Sequence, residues 1–297
     1  MRLLVLTRSD KHRGPDGGYC VAGIDMETSR WIRLIGPHFK FKIADVEAIY
    51  DNGNMCEPFD VIDVDAEKVD DDMIRRCNVE GWGENCNEQY SDNMLLIQPE
   101  NYMVHGKFRF VEKKTIDDLL RMNVVDNSEF IFSNGNRRLS IHEAEQNNRS
   151  LVLVKADDLE LYPMPRTRED GSVDGYQAHY RARFTYNGTV YEDISVTDPD
   201  YEAELTDFGG LYFGETYLVL SVGGEFHDFH YKLIAKIFEV VYTIENNSLN
   251  IFHAFRDCRY LQRYDNIKHA LYDDLVNEGM EQCALCQRRY DQEDTEE

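Results

Sequence analysis

Apolar and polar positions alternate with period two along most of this chain, the spacing of half-buried strands. Leu3–Leu6, Tyr19–Ile24, Trp31–Ile35, Phe59–Val64, Met94–Ile97 and Phe108–Val111 read as strands, parted by turn clusters such as Pro15-Asp16-Gly17-Gly18 and Asp51-Asn52-Gly53-Asn54. A second series runs through Ser150–Lys155, Asp157–Tyr162, Ala182–Tyr186, Thr189–Tyr191, Leu211–Phe213, Thr216–Val222 and Tyr231–Tyr242. Asn187-Gly188 between aromatic and β-branched arms marks a tight hairpin, and Pro163 to Tyr176 reads as a loop on its prolines and glycines. Helical spacing occurs twice in this body: after Thr115, whose hydroxyl is placed to cap, and after Ser140, where Ser140-Ile141-His142-Glu143 forms a capping box.

The pattern predicts a mainly β protein with some α. Five short strands with a helix or two suit a small Greek-key barrel of OB type, and the second half repeats the first. The expected organisation is a first OB-like barrel with a helical insert over residues 1–149 and a second over 150–245. A helical C-terminal extension over 246–297 follows, with a C-x-x-C pair and a disordered acidic tail from Asp291. Within that extension, Ser248 to His269 reads as helix, with Arg256, Arg259 and Arg263 along one face.

The hairpin Gly18–Ile35 stands out. Its second arm places Trp31, Arg33 and Ile35 on one face and Ile32 and Leu34 on the other, beside Tyr19 of the first arm. An aromatic ring next to a guanidinium suits a ligand with a flat base and an anionic group. A second constellation, Glu225-Phe226-His227-Asp228-Phe229-His230-Tyr231-Lys232, sets His230 and Lys232 on one face of a strand and Tyr231 on the other. Asp198 precedes it as a ligand contact or a turn cap.

These same stretches, GYCVAGIDMETSRWIRLI in the first half and VTDPD with YLVLSVGGEFHDFHYKLIAKI in the second, resemble the prokaryotic dual OB domain-containing proteins over roughly residues 1 to 245. The resemblance implies two tandem barrels and an accessory, non-catalytic binding role, often among antiviral defence genes and beside a protein partner encoded nearby. It supplies no catalytic residues.

Charge narrows the ligand class. The chain carries a net −24, yet residues 1 to 42 hold eight Lys and Arg against four acids, a local +4 that leaves −28 for the remainder. Bulk coating of nucleic acid is excluded, whereas a local anion site in the N-terminal region is not. Four consecutive apolar residues at the start are too few for a leader or a membrane span, and seven scattered cysteines fit reduced thiols. A cytoplasmic protein without membrane contact is the expectation.

Signatures of phosphate loops, zinc proteases and serine hydrolases are absent. Glu100, Glu112 and Lys114 are the residue types of a metal-dependent nuclease, and Asp63, Asp65 and Asp70–Asp72 those of a cation site. Cys20, in an apolar strand with no activating neighbour in sequence, reads as core. Cys283-Ala284-Leu285-Cys286 has zinc-ligand spacing and needs two further donors, for which His253 and Cys258 are upstream candidates; the expected cofactor is one structural zinc. Three readings stand: a subunit that binds nucleic acid or a nucleotide, a protein scaffold docking through its acidic surface and C-terminal helices, and, third, a nuclease.

Overall fold

The computed structural model describes residues 1–9, 17–36, 41–70, 97–167, 173–176, 180–201, 211–245 and 250–293. Residues 94–96 of the strand expected at Met94 to Ile97, the acids Asp71 and Asp72, and the last four residues of the acidic tail lie outside them.

The first unit is built on β1 (Arg2–Arg8), β2 (Val21–Asp25), β3 (Trp31–Ile35), β4 (Asp60–Asp63), β5 (Ala66–Lys68), β6 (Asn101–Val104) and β7 (Arg109–Lys113), with a short α1 (Asp45–Ala48) between β3 and β4. β1 pairs with β2, β2 with β3, and β3 runs parallel to β6 with Arg33 opposite Asn101. β6 then pairs with β5 and β1 with β4, so β4 and β5, two residues apart, form one bent strand that closes the ring.

The same wiring recurs in the second unit. β9 (Leu151–Tyr162) pairs with β12 (Arg181–Tyr186), β12 with β13 (Thr189–Val196), and β13 runs parallel to β16 (Phe229–Ile244). β16 pairs with β15 (Glu215–Phe226), which returns to β9, and the two-residue β14 (Leu211–Tyr212) pairs with the end of β9 at Leu161. Five strands joined in this cyclic order, with one parallel contact, are the arrangement of an OB barrel. Asn187 and Gly188 both have positive φ, as a two-residue hairpin turn between right-twisted strands requires.

Burial explains the apolar runs. Leu3, Val5, Val21, Ile32 and Leu34 fill the first barrel, and Val152, Val154, Phe184, Leu218 and Leu220 fill the second. The alternate residues Leu4, Leu6 and Ile24 point outward and meet Leu153, Val219, Phe238 and Val240 in a third core between the barrels. Strands apolar on both faces are therefore those buried on both faces. Hydrogen bonds from Thr7 Oγ1 to Ala235 O (2.9 Å) and from Gln98 Nε2 to Val222 O (3.1 Å) cross the same seam.

Several expectations change. β6 and the short β8 (Arg138–Ser140) had no clear sequence signal, and the Pro163–Tyr176 loop contains a two-stranded ribbon, β10 (Pro165–Thr167) with β11 (Val173–Tyr176). Helices α2 (Ile116–Arg121) and α3 (Ile141–Gln146) start at the expected Thr115 and Ser140 caps. The stretch from Ile131 to Ala144, read as an insert of the first barrel, packs into the second core, and β8 pairs with the start of β16.

The C-terminal extension is only in small part helical. Where a helix was read from Ser248 to His269, the described residues form β17 (Ile251–Phe252), turns, a 3-10 turn at Leu261–Arg263 and β18 (Ile267–Leu271). Arg256, Arg259 and Arg263 thus share no helical face. The reason is tertiary: β18 extends the second sheet along β16, and the His253 backbone exchanges hydrogen bonds with Tyr242. The remaining elements are α4 (Tyr272–Asn277), β19 (Glu281–Gln282) and α5 (Ala284–Glu293), and α5 includes Asp291 to Glu293 of the expected acidic tail. No helix among the described residues is long and apolar enough to cross a membrane.

Candidate ligand cavity and candidate metal centre

Trp31 and Arg33 leave the outer face of β3, as alternation requires, but that face is turned toward the second barrel. Trp31 packs against the seam core and lines a groove with Arg30, Lys68 and Tyr102. Arg33 Nη2 donates to Ser150 Oγ at 3.1 Å, Ser150 Oγ donates to Glu100 Oε2 at 2.7 Å, and the Ser150 N–H reaches Glu100 Oε1 at 2.6 Å. This inter-barrel link divides the Trp31 groove from a cavity of about 360 Å³ beyond it.

Both barrels build that cavity. Among the described residues, Arg33 and Lys42 are its charged lining residues and no carboxylate lines it, in a chain of net −24. Thr7, Ser9 and Ser221 offer hydroxyls, Gly223 and Gly224 offer exposed backbone, and Val21, Leu34 and Leu233 supply apolar wall. Its volume is that of a site for a small molecule or a single nucleotide, and two cations in a half-enclosed, low-dielectric space attract an anion strongly.

The other expected ligand residues are held inward. Tyr19 is buried, donates its hydroxyl to Asp45 Oδ1 (2.9 Å) and lies beneath Arg8. Asp198 is buried, accepting from Lys236 Nζ at 3.0 Å and from the Ile237 N–H at 2.8 Å. His230 and Lys232 do share a face, but it is the barrel interior. His230 Nδ1 meets Gly223 O at 3.1 Å, and Lys232 Nζ donates to Asn134 O (2.6 Å) and Oδ1 (3.1 Å). Burial brings the Lys232 amine down to about 7. Tyr231, on the opposite face, is half-buried near Phe226, which stands 62% exposed at the hairpin tip.

The nuclease set does not assemble. Glu100 lies beside β6 in the seam while Glu112 is on β7, separated from β6 by four strands in the sheet order, where it pairs with Lys114 at 2.9 Å. Of the acid pair, Asp63 is engaged by Arg2 (2.9 Å) and Arg109 (2.8 Å), whose hydrogen bonds bring its carboxyl down to about 2.

The four metal-ligand candidates converge. His253, Cys258, Cys283 and Cys286 are all buried and their donor atoms lie within 4.8 Å of one another. Local structure delivers each. Phe252 on β17 accepts from the Cys283 N–H (2.8 Å), which sets Cys283 beside His253. α5 begins at the next residue and carries Cys286 in its first turn, and a turn from Phe255 O to the Cys258 N–H brings in Cys258. Cys286 Sγ is 3.9 Å from His253 Nδ1, against about 3.6 Å for a nitrogen and a thiolate on one tetrahedral zinc. Burial pushes the Cys286 thiol up to about 12 and the His253 ring down, so a cation is what would favour the thiolate form. The residues fit a metal ion such as zinc.

Two barrels of OB wiring packed face to face define a two-domain OB protein. The chain belongs to the Dual OB-containing domain family, whose profile matches residues 1–80 and 89–237. All four metal-ligand candidates lie beyond the matched residues. No curated protein and no solved structure matches the chain.

Sequence reasoning missed Lys42, Gln98, Ser150 and Ser221. Gln98 and Ser150 take their places from contacts between the two units, Gln98 with Val222 O and Ser150 with Arg33 and Glu100, which no local pattern encodes; the two-faced apolar runs were the available sign that such a seam exists.

Proposed function

We propose that this chain is a non-catalytic subunit that binds single-stranded nucleic acid, holding one nucleotide in the cavity between its barrels. Arg33 and Lys42 meet phosphate, and the apolar wall from β2, β3 and β16 receives the base. The observation that carries this reading is the cavity at the β2–β3 face of the first barrel, whose charged lining among the described residues is Arg33 and Lys42; this is the face through which OB barrels take strands. The Trp31 groove across the Arg33–Ser150–Glu100 link would take a neighbouring base. An accessory role in a cytoplasmic prokaryotic defence system, beside a catalytic partner encoded nearby, belongs to the same reading through the family resemblance. His253, Cys258, Cys283 and Cys286 would hold a structural zinc at the C-terminal end, because four protein donors would fill a tetrahedral shell and leave no position for substrate.

Fluorescence anisotropy with a short labelled oligothymidylate and a labelled mononucleotide, at low and moderate salt, tests the proposal. Wild type should bind both. Arg33→Ala and Lys42→Ala should each weaken the oligonucleotide about tenfold and lower the salt slope by about 0.7. Absence of binding to either probe at low salt overturns it.

A further inference from the structure

In the sequence Cys20 reads as a core thiol, with no activating neighbour nearby along the chain. The fold supplies what the sequence hides. Lys42, 22 residues further on, places its Nζ 2.8 Å from the Cys20 Sγ, and both line the inter-barrel cavity. Cys20 is half-buried and in no disulfide, whereas Cys56 is buried in the first barrel's core and Cys258, Cys283 and Cys286 are buried together with His253 in the candidate metal centre. Among the described residues, the charged groups lining the space around the sulfur are Lys42 and Arg33, both cations. An ammonium in contact with a partly exposed sulfur in an electropositive pocket is the environment that converts a thiol into a thiolate nucleophile.

We infer that Cys20 is a reactive thiolate, stabilised by Lys42, and a site of covalent modification by small disulfides and other soft electrophiles that enter the cavity. With a low-molecular-weight disulfide the Cys20 thiolate attacks one sulfur and forms a new S–S bond. The original S–S bond breaks, and the second sulfur leaves as a thiolate that takes a proton from water. One disulfide is consumed and one formed, so no further oxidant is required. Because the sulfur lines the cavity, the adduct occupies it. A ligand site between two barrels is thereby placed under the control of the cell's thiol–disulfide state. The chemistry is independent of what the cavity binds.

The test is the rate of alkylation of Cys20 by neutral iodoacetamide across a pH series. The metal-loaded full chain is used, and the modified peptide is resolved from those of the other cysteines by mass spectrometry. Wild type should show a midpoint at or below about 7.5, against about 8.5 for an ordinary thiol. Lys42→Met should raise the midpoint by about one unit and slow the reaction near neutral pH about tenfold, while Lys42→Arg keeps the low midpoint. Replacing iodoacetamide with the dianionic aromatic disulfide dithiobis(nitrobenzoate) should increase the advantage of wild type over Lys42→Met, since the cations also attract the probe. A wild-type midpoint at or above the ordinary value overturns the inference without recourse to any variant. So does an unchanged midpoint in a folded Lys42→Met protein. Loss of nucleotide binding with the low midpoint retained would count against the binding proposal alone.

Discussion

The two barrels follow one wiring diagram and differ in the length of their strands. In the first, the strand that closes the ring is bent into β4 and β5 around Val64 and Asp65, and among the described residues no strand exceeds seven residues. In the second, the equivalent β15 runs unbroken for twelve residues and β16 for sixteen. Length beyond what a small barrel needs leaves free edge, and that edge is used: β8 pairs with the start of β16 and β18 with its end. The first barrel is thus a compact body that turns the Trp31–Arg33 face of β3 inward. The second is a scaffold holding the seam on one side and the His253/Cys258/Cys283/Cys286 cluster on the other.

Metal removal should separate the two most. If the Cys and His donors hold a structural zinc, elemental analysis gives about one zinc per chain. Chelation or Cys283→Ser should then abolish hydrogen-exchange protection over residues 250–293, because structural zinc sites contribute roughly 10 kcal/mol or more of folding free energy. Strands β1 to β3 should keep their protection. Unchanged exchange in the C-terminal module after chelation would contradict the assignment.

A pair of glycines sharpens the comparison. A Cβ on Gly23, in β2, would sit 2.0 Å from Leu4 O, where only separation of two central strands can make room. A Cβ on Gly223, in β15, first meets the Leu233 side chain at 3.2 Å, and that side chain can shift. Gly23→Ala should cost more than about 2 kcal/mol in denaturant melts and Gly223→Ala less than about 1 kcal/mol. Equal costs would show that the first barrel is less tightly closed than its strand register implies.

Across the seam, Glu239 of β16 gives a pH-dependent test. Burial, reinforced by Asp273, pushes its carboxyl up to about 7. The folded chain therefore disfavours the charged form, so the stability this group contributes is complete below the ordinary glutamate range and is lost as pH rises through about 7. Glu239→Gln should match wild type near pH ~4.5 and exceed it by on the order of 1–3 kcal/mol near pH ~8. A constant difference between the two proteins across that range would contradict the burial argument. The smallest expected effect is at Thr7. Thr7→Val removes the hydrogen bond to Ala235 O and should cost about 1 kcal/mol, read as a shift in the denaturation midpoint at unchanged slope.

Much of this was legible in the sequence. Alternation located β3 at its true bounds, the Thr115 and Ser140 caps started two helices, and Asn187-Gly188 fixed a hairpin, because each rests on forces acting within a few residues. The C-x-x-C pair with His253 and Cys258 identified a cluster that the fold brings together, since ligand chemistry allows few alternatives. What failed depended on distance. The Ser248–His269 segment has helical spacing but is captured by the edge of β16, and alternation put His230 and Lys232 on a common face without revealing that the face was interior. Trp31 and Arg33 were placed on the correct outer face, yet only the packing of one barrel on another shows that this face borders a seam.

The account turns on that seam as a ligand site, and the most direct test is to find where a bound strand touches the protein. Photocrosslinking of an oligothymidylate carrying 4-thiothymine, followed by mass-spectrometric mapping, should place the adducts in the cavity walls at 20–22, 33–35, 41–42 and 221–224, with a second group beside Trp31. Competition by unlabelled mononucleotide should remove the cavity adducts first. Adducts confined to the outer face of β12 and β13, or crosslinking that persists in Arg33→Ala and Lys42→Ala proteins at wild-type yield, would contradict the central claim.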